Sequence, residues 1–174
     1  LHPTSVSGDY KEELAVVEYW LDKHKFHGIG EIGIDLYWDR TYIEEQKEAF
    51  RHQIKLAKSR KLPIVIHVRE SFNEVYQIVK EEQDGSLVGI FHCFTGDNTE
   101  AQKISDLGFL MGIGGVVTYK NSNLGQVLQN LDVSKLVLET DAPYLAPDPK
   151  RGRRNESANL VYVAQKLSEI YQLP

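Results

Sequence analysis

Four residues of the 174-residue chain pair a metal-competent side chain with a telling position. Glu31 in "GEIGID", His67 in "IVIHVRE", His92 in "GIFHCFTG" and Asp141 in "LETDAPY" each stand near the C-terminal end of a short apolar run. A carboxylate held among apolar residues is costly unless charge or hydrogen bonds compensate it. A divalent cation compensates it, and imidazole with carboxylate suits zinc, manganese and similar ions. A carboxylate can also bridge two ions, and two-metal sites suit hydrolysis of phosphate esters. One strand-end histidine alone usually marks a hydrogen-bonded core residue. Four such residues on four runs would each need a separate buried partner, whereas a common metal centre accounts for them together.

Other motifs are weaker. "GIGEIG" (28–33) fits the dinucleotide pattern G-x-G-x-x-G, but that motif needs a strand before it and a helix opening from it. Here a helical pattern precedes it and "DLYWDR" follows. The glycines are read as strand residues permitting close approach beside a crowded site. His24, His27 and His52 sit in polar surroundings and are read as surface residues. Cys93 adjoins His92, and alternation turns it to the opposite face as a small buried hydrophobe. "DPKRGRRNE" (148–156) is the one dense basic segment. It is either a solvated loop or a phosphate-binding rim, because it follows the Asp141 strand.

Two periodicities must position these residues. Helical spacing of apolar residues predicts helices over 11–25, 41–61, 71–82, 97–108, 123–131 and 156–172. The fourth opens on capping-type residues and stops at Gly108. Between them lie "GEIGID", "PIVIHV", "LVGIFHCF", "FLMGIGG" and "KLVLETD". These runs are continuously apolar, as strands covered on both faces are in parallel sheets. The alternation predicts a parallel α/β architecture. Within the first strand, Ile32 and Ile34 should face one way and Glu31, Gly33 and Asp35 the other. Five strands fit an open sheet, since a full (β/α)₈ barrel takes eight strands and roughly 250 residues. Ligands at the strand ends fit either form.

Composition narrows the class. Apolar residues are 41% and charged residues 26%, as in ordinary globular proteins. No apolar run reaches the roughly 18 residues of a membrane span, and "LHPTSVSGDY" lacks the features of a signal peptide. A single cysteine fits a reducing compartment, so the cytoplasm is expected. The formal net charge of −5 leaves a nucleic acid to be held by a local basic patch or by cations. No linker, repeat or low-complexity tract interrupts the chain, and residues 1–174 are read as one domain.

In order and rough spacing these motifs resemble the TatD family of metal-dependent deoxyribonucleases, which are amidohydrolase-like metallo-hydrolases. "GEIGID" resembles the family's glutamate strand, "HVRES" its His-x-Arg-Glu/Asp segment, "FHCFTG" its second histidine strand, "LETDAPYL" its aspartate strand and "RRNE" its Arg-Asn-Glu segment. The resemblance covers nearly the whole chain and implies a TIM-like (β/α) barrel. It implies that Glu31 bridges two divalent ions (Mg, Mn or Zn), that His67 and His92 hold one, and that Asp141 binds the other and takes the proton of the attacking water. Arg69 and Arg154 would meet a substrate phosphate or fix the ligands, and Glu139 would support the ligands from behind.

There are departures. The family's opening His-x-His strand has no counterpart. Its Gly-x-His-Pro-His segment stands here as "LHPTS", in which His2 and Pro3 match and Thr4 replaces the second histidine. Ser157 replaces a proline. The chain is therefore expected to be a fragment that lacks the first strands and the C-terminal end. Open sheet edges should then make it poorly soluble alone. The expected activity is hydrolysis of DNA, single-stranded and by exonuclease action, with no membrane and no obligate protein partner. The alternatives are amide or ester hydrolysis on a small molecule, or an inactive truncated remnant.

Overall fold

The computed structural model describes residues 1–173 and divides into two compact units, Leu1–Phe91 and His92 onward. In the first unit a 3₁₀ turn at Pro3–Ser5 leads into helix α1 (Tyr10–Lys23). Strand β1 (Ile29–Asp35), helix α2 (Ile43–Arg60), strand β2 (Ile64–Arg69), helix α3 (Phe72–Glu82) and strand β3 (Gly89–Phe91) follow. β2 pairs in parallel with β1 and with β3. The β1–β2 register sets Gly33 against His67 and Asp35 against Arg69.

The packing follows from alternation. Ile32, Ile34, Ile64 and Ile66 are fully buried, as are Phe50 and Ile54 of α2 and Val75 and Val79 of α3. Each such side chain contributes roughly 1.5–3 kcal/mol on leaving water. The residues between them, Val65 and His67 on β2, face the other way and are half-buried. The helices also pin the strand ends. The Asp35 N–H donates to Gln46 Oε1 (2.9 Å), and Gln46 Nε2 donates to the Asp35 carbonyl (3.2 Å). Ser71 Oγ donates to the Ile34 carbonyl (2.5 Å) and accepts from the Arg69 N–H (3.3 Å).

The glycines of β1 serve packing, as expected. Gly33 has φ +147°, and a Cβ there would lie 2.0 Å from the His67 carbonyl oxygen. No other residue fits that close approach without moving the strand.

The second unit comprises α4 (Asn98–Asp106), β4 (Leu110–Ile113), α5 (Leu124–Leu128), β5 (Leu136–Leu138) and α6 (Leu160–Tyr171). β4 and β5 are parallel, with Ile113 opposite Leu138. Ile104, Phe109, Met111, Ile113 and Leu128 are fully buried, and Val163 nearly so. α4 begins with a capping box. Asp97 accepts from the Glu100 N–H (2.9 Å), and Glu100 accepts from the Asp97 N–H (3.3 Å). Gly108, at φ +81°, closes it.

Three strand expectations are corrected. β3 spans only Gly89–Phe91, so His92 and Cys93 lie beyond the ladder. Cys93 adopts φ +47° and turns the chain, so alternation does not govern its side chain, which is half-buried. β5 stops at Leu138, and Asp141 lies on the turn that follows. β5 is also not buried on both faces. Among the described residues it pairs only with β4, and Leu138 is 44% exposed. With Val133, Leu136, Leu167 and Tyr171 it lines an open apolar groove. α5 is shorter than its pattern, ending at Leu128. Among the described residues no helix is long and apolar enough to cross a membrane.

Candidate metal centre

The first unit gathers a donor set of His2, Glu31 and His67, whose ligand atoms all lie within 4.8 Å of one another. Glu31 projects from β1 and His67 from the adjacent β2. Glu31 is the third residue of its seven-residue strand and not near the C-terminal end expected from the sequence, because the apolar run continues through Ile32 and Ile34 to Asp35. His2 comes from the 3₁₀ turn preceding α1, where its side chain caps Thr4. His2 Nε2 lies 3.5 Å and His67 Nδ1 3.7 Å from the same oxygen, Glu31 Oε2. The two imidazoles meet edge to face at 4.6 Å. Tetrahedral zinc with bonds of about 2.0–2.1 Å keeps its ligand atoms roughly 3.4 Å apart. The two distances to Glu31 fit that geometry to within a few tenths of an ångström, and the donor types fit a first-row divalent ion.

The hydrogen bonds behind the donors complete the fit. His67 Nε2 lies 2.9 Å from Asp35 Oδ2, and Asp35 is 3% exposed. An ionised carboxylate only accepts, so Nε2 carries the proton and Nδ1 presents its lone pair toward Glu31. That is the carboxylate–histidine pairing that orients metal ligands. Thr4 contacts His2 through both its hydroxyl and its N–H. Its hydroxyl lies 2.7 Å from Nδ1 and accepts the Nδ1 proton in the tautomer that leaves Nε2 open to a cation. In the other tautomer Nδ1 accepts from the Thr4 N–H at 3.2 Å.

Arg69 stands two residues beyond His67 on β2, hence on the same side of the strand. It is exposed, and its guanidinium lies 3.8 Å from the Tyr37 ring centroid.

The second unit, taken by itself, places the other two expected ligands. His92 Nδ1 lies 3.3 Å from Glu139 Oε1, which also accepts the Cys93 N–H. A carboxylate beside a ring nitrogen is the pairing that orients metal-ligating histidines. Glu139 therefore supports His92, a contact that its spacing from Asp141 does not disclose. Its carboxylate rests over Gly112, where a Cβ would come within 2.3 Å of Oε2. Asp141 is half-buried, and its carbonyl accepts the Tyr144 N–H at 2.6 Å. In the basic loop Arg153 and Arg154 are exposed, and Arg151 stacks over Tyr119 at 4.3 Å. Asn155 anchors the loop. Its N–H donates to the Pro143 carbonyl (2.9 Å), and its side-chain oxygen accepts from the Glu156 N–H and Asn159 Nδ2.

Sequence reasoning missed three contributors. His2 is a donor that the "LHPTS" match already touched. Asp35 was placed on the right face without a partner. Thr4 counted only as a lost histidine, although it holds the one that remains.

A carboxylate and two imidazoles on an α/β fold, one imidazole backed by the buried Asp35, make a donor set for a divalent cation. The match to "TatD related DNase" covers residues 1–174, and the chain belongs to that family. It is 39% identical over 173 residues to the uncharacterized metal-dependent hydrolase YabD of Bacillus subtilis, covering 99% of this chain and 68% of that one. It is 35% identical over 141 residues to the uncharacterized metal-dependent hydrolase YcfH of Escherichia coli K12, covering 80% of this chain and 53% of that one. Among solved structures, the TatD homologue YJJV of Escherichia coli superposes with a TM-score of 0.88 at 29% identity. That match covers 100% of this chain and 68% of that one. The fold is thus the TIM-like α/β class expected from the sequence, and the chain spans between about half and two thirds of the relatives it matches.

Proposed function

We propose that this chain carries the catalytic residues of a divalent-metal-dependent deoxyribonuclease. The observation that supports it best is the His2–Glu31–His67 donor set, with both histidines held from behind and Arg69 on the same side of β2. A guanidinium beside a cation suits a phosphodiester, whose oxygens accept paired N–H bonds. A divalent ion, when bound, supplies Lewis acidity and a lowered water pKa at neutral pH.

The remaining work falls to the chain's own groups. Asp35 holds His67 in its ligating tautomer, and Thr4 anchors the His2 ring. Arg69 in the first unit and Arg154 in the second are each assigned to binding substrate phosphate. Asp141 accepts the proton of the attacking water, and Asp141 and His92 serve as further metal ligands in this reading.

The test is digestion of a labelled single strand with added Mg²⁺ or Mn²⁺. Chelator should abolish cleavage, and Asp141→Asn should slow it by about 10²–10⁴, the usual worth of a positioned base. Full activity in Asp141→Asn would sink the assignment. Turnover of small amide or ester substrates with no DNA cleavage would replace it with the small-molecule reading.

A further inference from the structure

We infer that Trp38, braced edge-to-face by Tyr37, forms a stacking platform for an unpaired nucleobase, which makes the chain selective for single strands. The inference rests on the nuclease reading above and adds the feature that would choose the form of the DNA. Immediately after β1 the chain presents two large aromatics to solvent, Tyr37 at 47% and Trp38 at 76% exposure. Scattered exposed aromatics need no explanation. This pair is different because a guanidinium lies over both rings and the flanking backbone is hydrogen-bonded.

The rings meet edge to face at 4.6 Å. The Arg69 guanidinium lies over both, 3.8 Å from the Tyr37 centroid and 5.5 Å from that of Trp38. The segment is tied down at either end. The Tyr37 N–H donates to Asp35 Oδ1 (3.0 Å), while Asp39 accepts both the N–H and the hydroxyl of Thr41 (2.9 and 2.7 Å). Arg40 Nε donates to the Leu36 carbonyl at 3.3 Å.

The platform is coupled to the donor set through Asp35, whose other oxygen orients His67. Trp38 also walls a cleft lined by Thr4, Asp35, Asp39, Tyr42 and Gln46. Two of those residues, Thr4 and Asp35, hold the candidate ligand histidines. A guanidinium flanked by exposed aromatic faces is the recognition element for a single strand, in which the cation takes the phosphate and the ring takes the base. In a duplex the base faces are already stacked and offer the ring nothing. A preorganised ring also loses little freedom on binding.

The experiment uses Trp20→Phe, so that Trp38 is the only tryptophan. A single-stranded oligonucleotide, its duplex and an abasic strand of equal length are titrated in Ca²⁺. Trp38 fluorescence and strand anisotropy are read together. The intact strand should bind at least about fivefold tighter than the abasic one and quench Trp38, as expected for one stacked base. Trp38→Ala should erase that difference while leaving the abasic affinity and the melting temperature unchanged, and Trp38→Phe should restore most of it. Equal losses on all three ligands, or no loss with Trp38→Ala, would overturn the platform while DNA cleavage by the parent protein still upheld the nuclease. A parent that neither binds nor cleaves any strand would overturn both.

Discussion

At the scale of single residues, the candidate centre depends on which nitrogen of each imidazole carries its proton. Asp35 decides this for His67, because its Oδ2 can only accept from Nε2. Asp35→Asn puts an amide there that can either donate or accept, so the tautomer is no longer fixed. The expected outcome is a 10–100-fold loss of Mn²⁺ or Zn²⁺ affinity by calorimetric titration, with the fold intact by circular dichroism. Affinity equal to the parent would show that Asp35 does not orient His67. Glu31 and His67 were legible in the sequence because each is a metal-competent side chain set within an apolar strand. The tie between Asp35 and His67 was not legible. It depends on the β1–β2 register, which brings strands about thirty residues apart into line, and no local pattern encodes that alignment. His2 was hard to weigh for a related reason. It sits on a short turn outside any strand, so periodicity says nothing about it.

At the scale of elements, helices were read to within a few residues where capping chemistry marks their ends. α4 is the clearest case, since Asp97, Glu100 and Gly108 all act as their types predict. Asp97→Ala removes an N-cap whose partner is a backbone N–H. It should lower unfolding stability by about 1 kcal/mol, measured as a shift in the urea midpoint with unchanged slope. No shift would mean that α4 is set by packing alone. Strands were read too long, because an apolar run continues past the last ladder bond. "LVGIFHCF" keeps its hydrophobic character to Phe94, yet the left-handed conformation of Cys93 has already ended the extended chain. "KLVLETD" stops pairing as a strand at Leu138, and only the Glu139 N–H reaches on to the Ile113 carbonyl (3.1 Å). The exposure of Leu138 follows from what lies beside β5, which its own residues do not specify.

At the scale of the whole molecule, the alternation of continuous apolar runs with amphipathic stretches was enough to give a parallel α/β class, and each unit has its own core of isoleucine, phenylalanine and leucine. Stability against acid is also a property of the whole chain. Three carboxyl groups are held below the usual carboxylate range of about 4. The Lys58 and Ser86 contacts lower Asp84, the Thr41 hydroxyl and N–H lower Asp39, and the Ser134 N–H lowers Asp132. A depressed pKa means that the unfolded chain binds more protons, so stability is present above about pH 4 and falls as the pH drops below it. Urea midpoints measured from pH 6 to pH 2.5 should fall most steeply below pH 4, and Asp84→Asn should flatten that fall. An unchanged slope in this variant would show that the Lys58–Asp84 contact, 2.7 Å in length, has no effect in solution.

The bare Cα of Gly112 makes room for a distant residue. Glu139 reaches His92 and the Cys93 N–H across the space that a methyl group on residue 112 would fill. Any side chain at 112 collides with the carboxylate, and shortening residue 139 first gives up the contact to His92. Each change made alone disturbs the hold on His92, which ties a glycine on β4 to a residue 27 positions further along the chain.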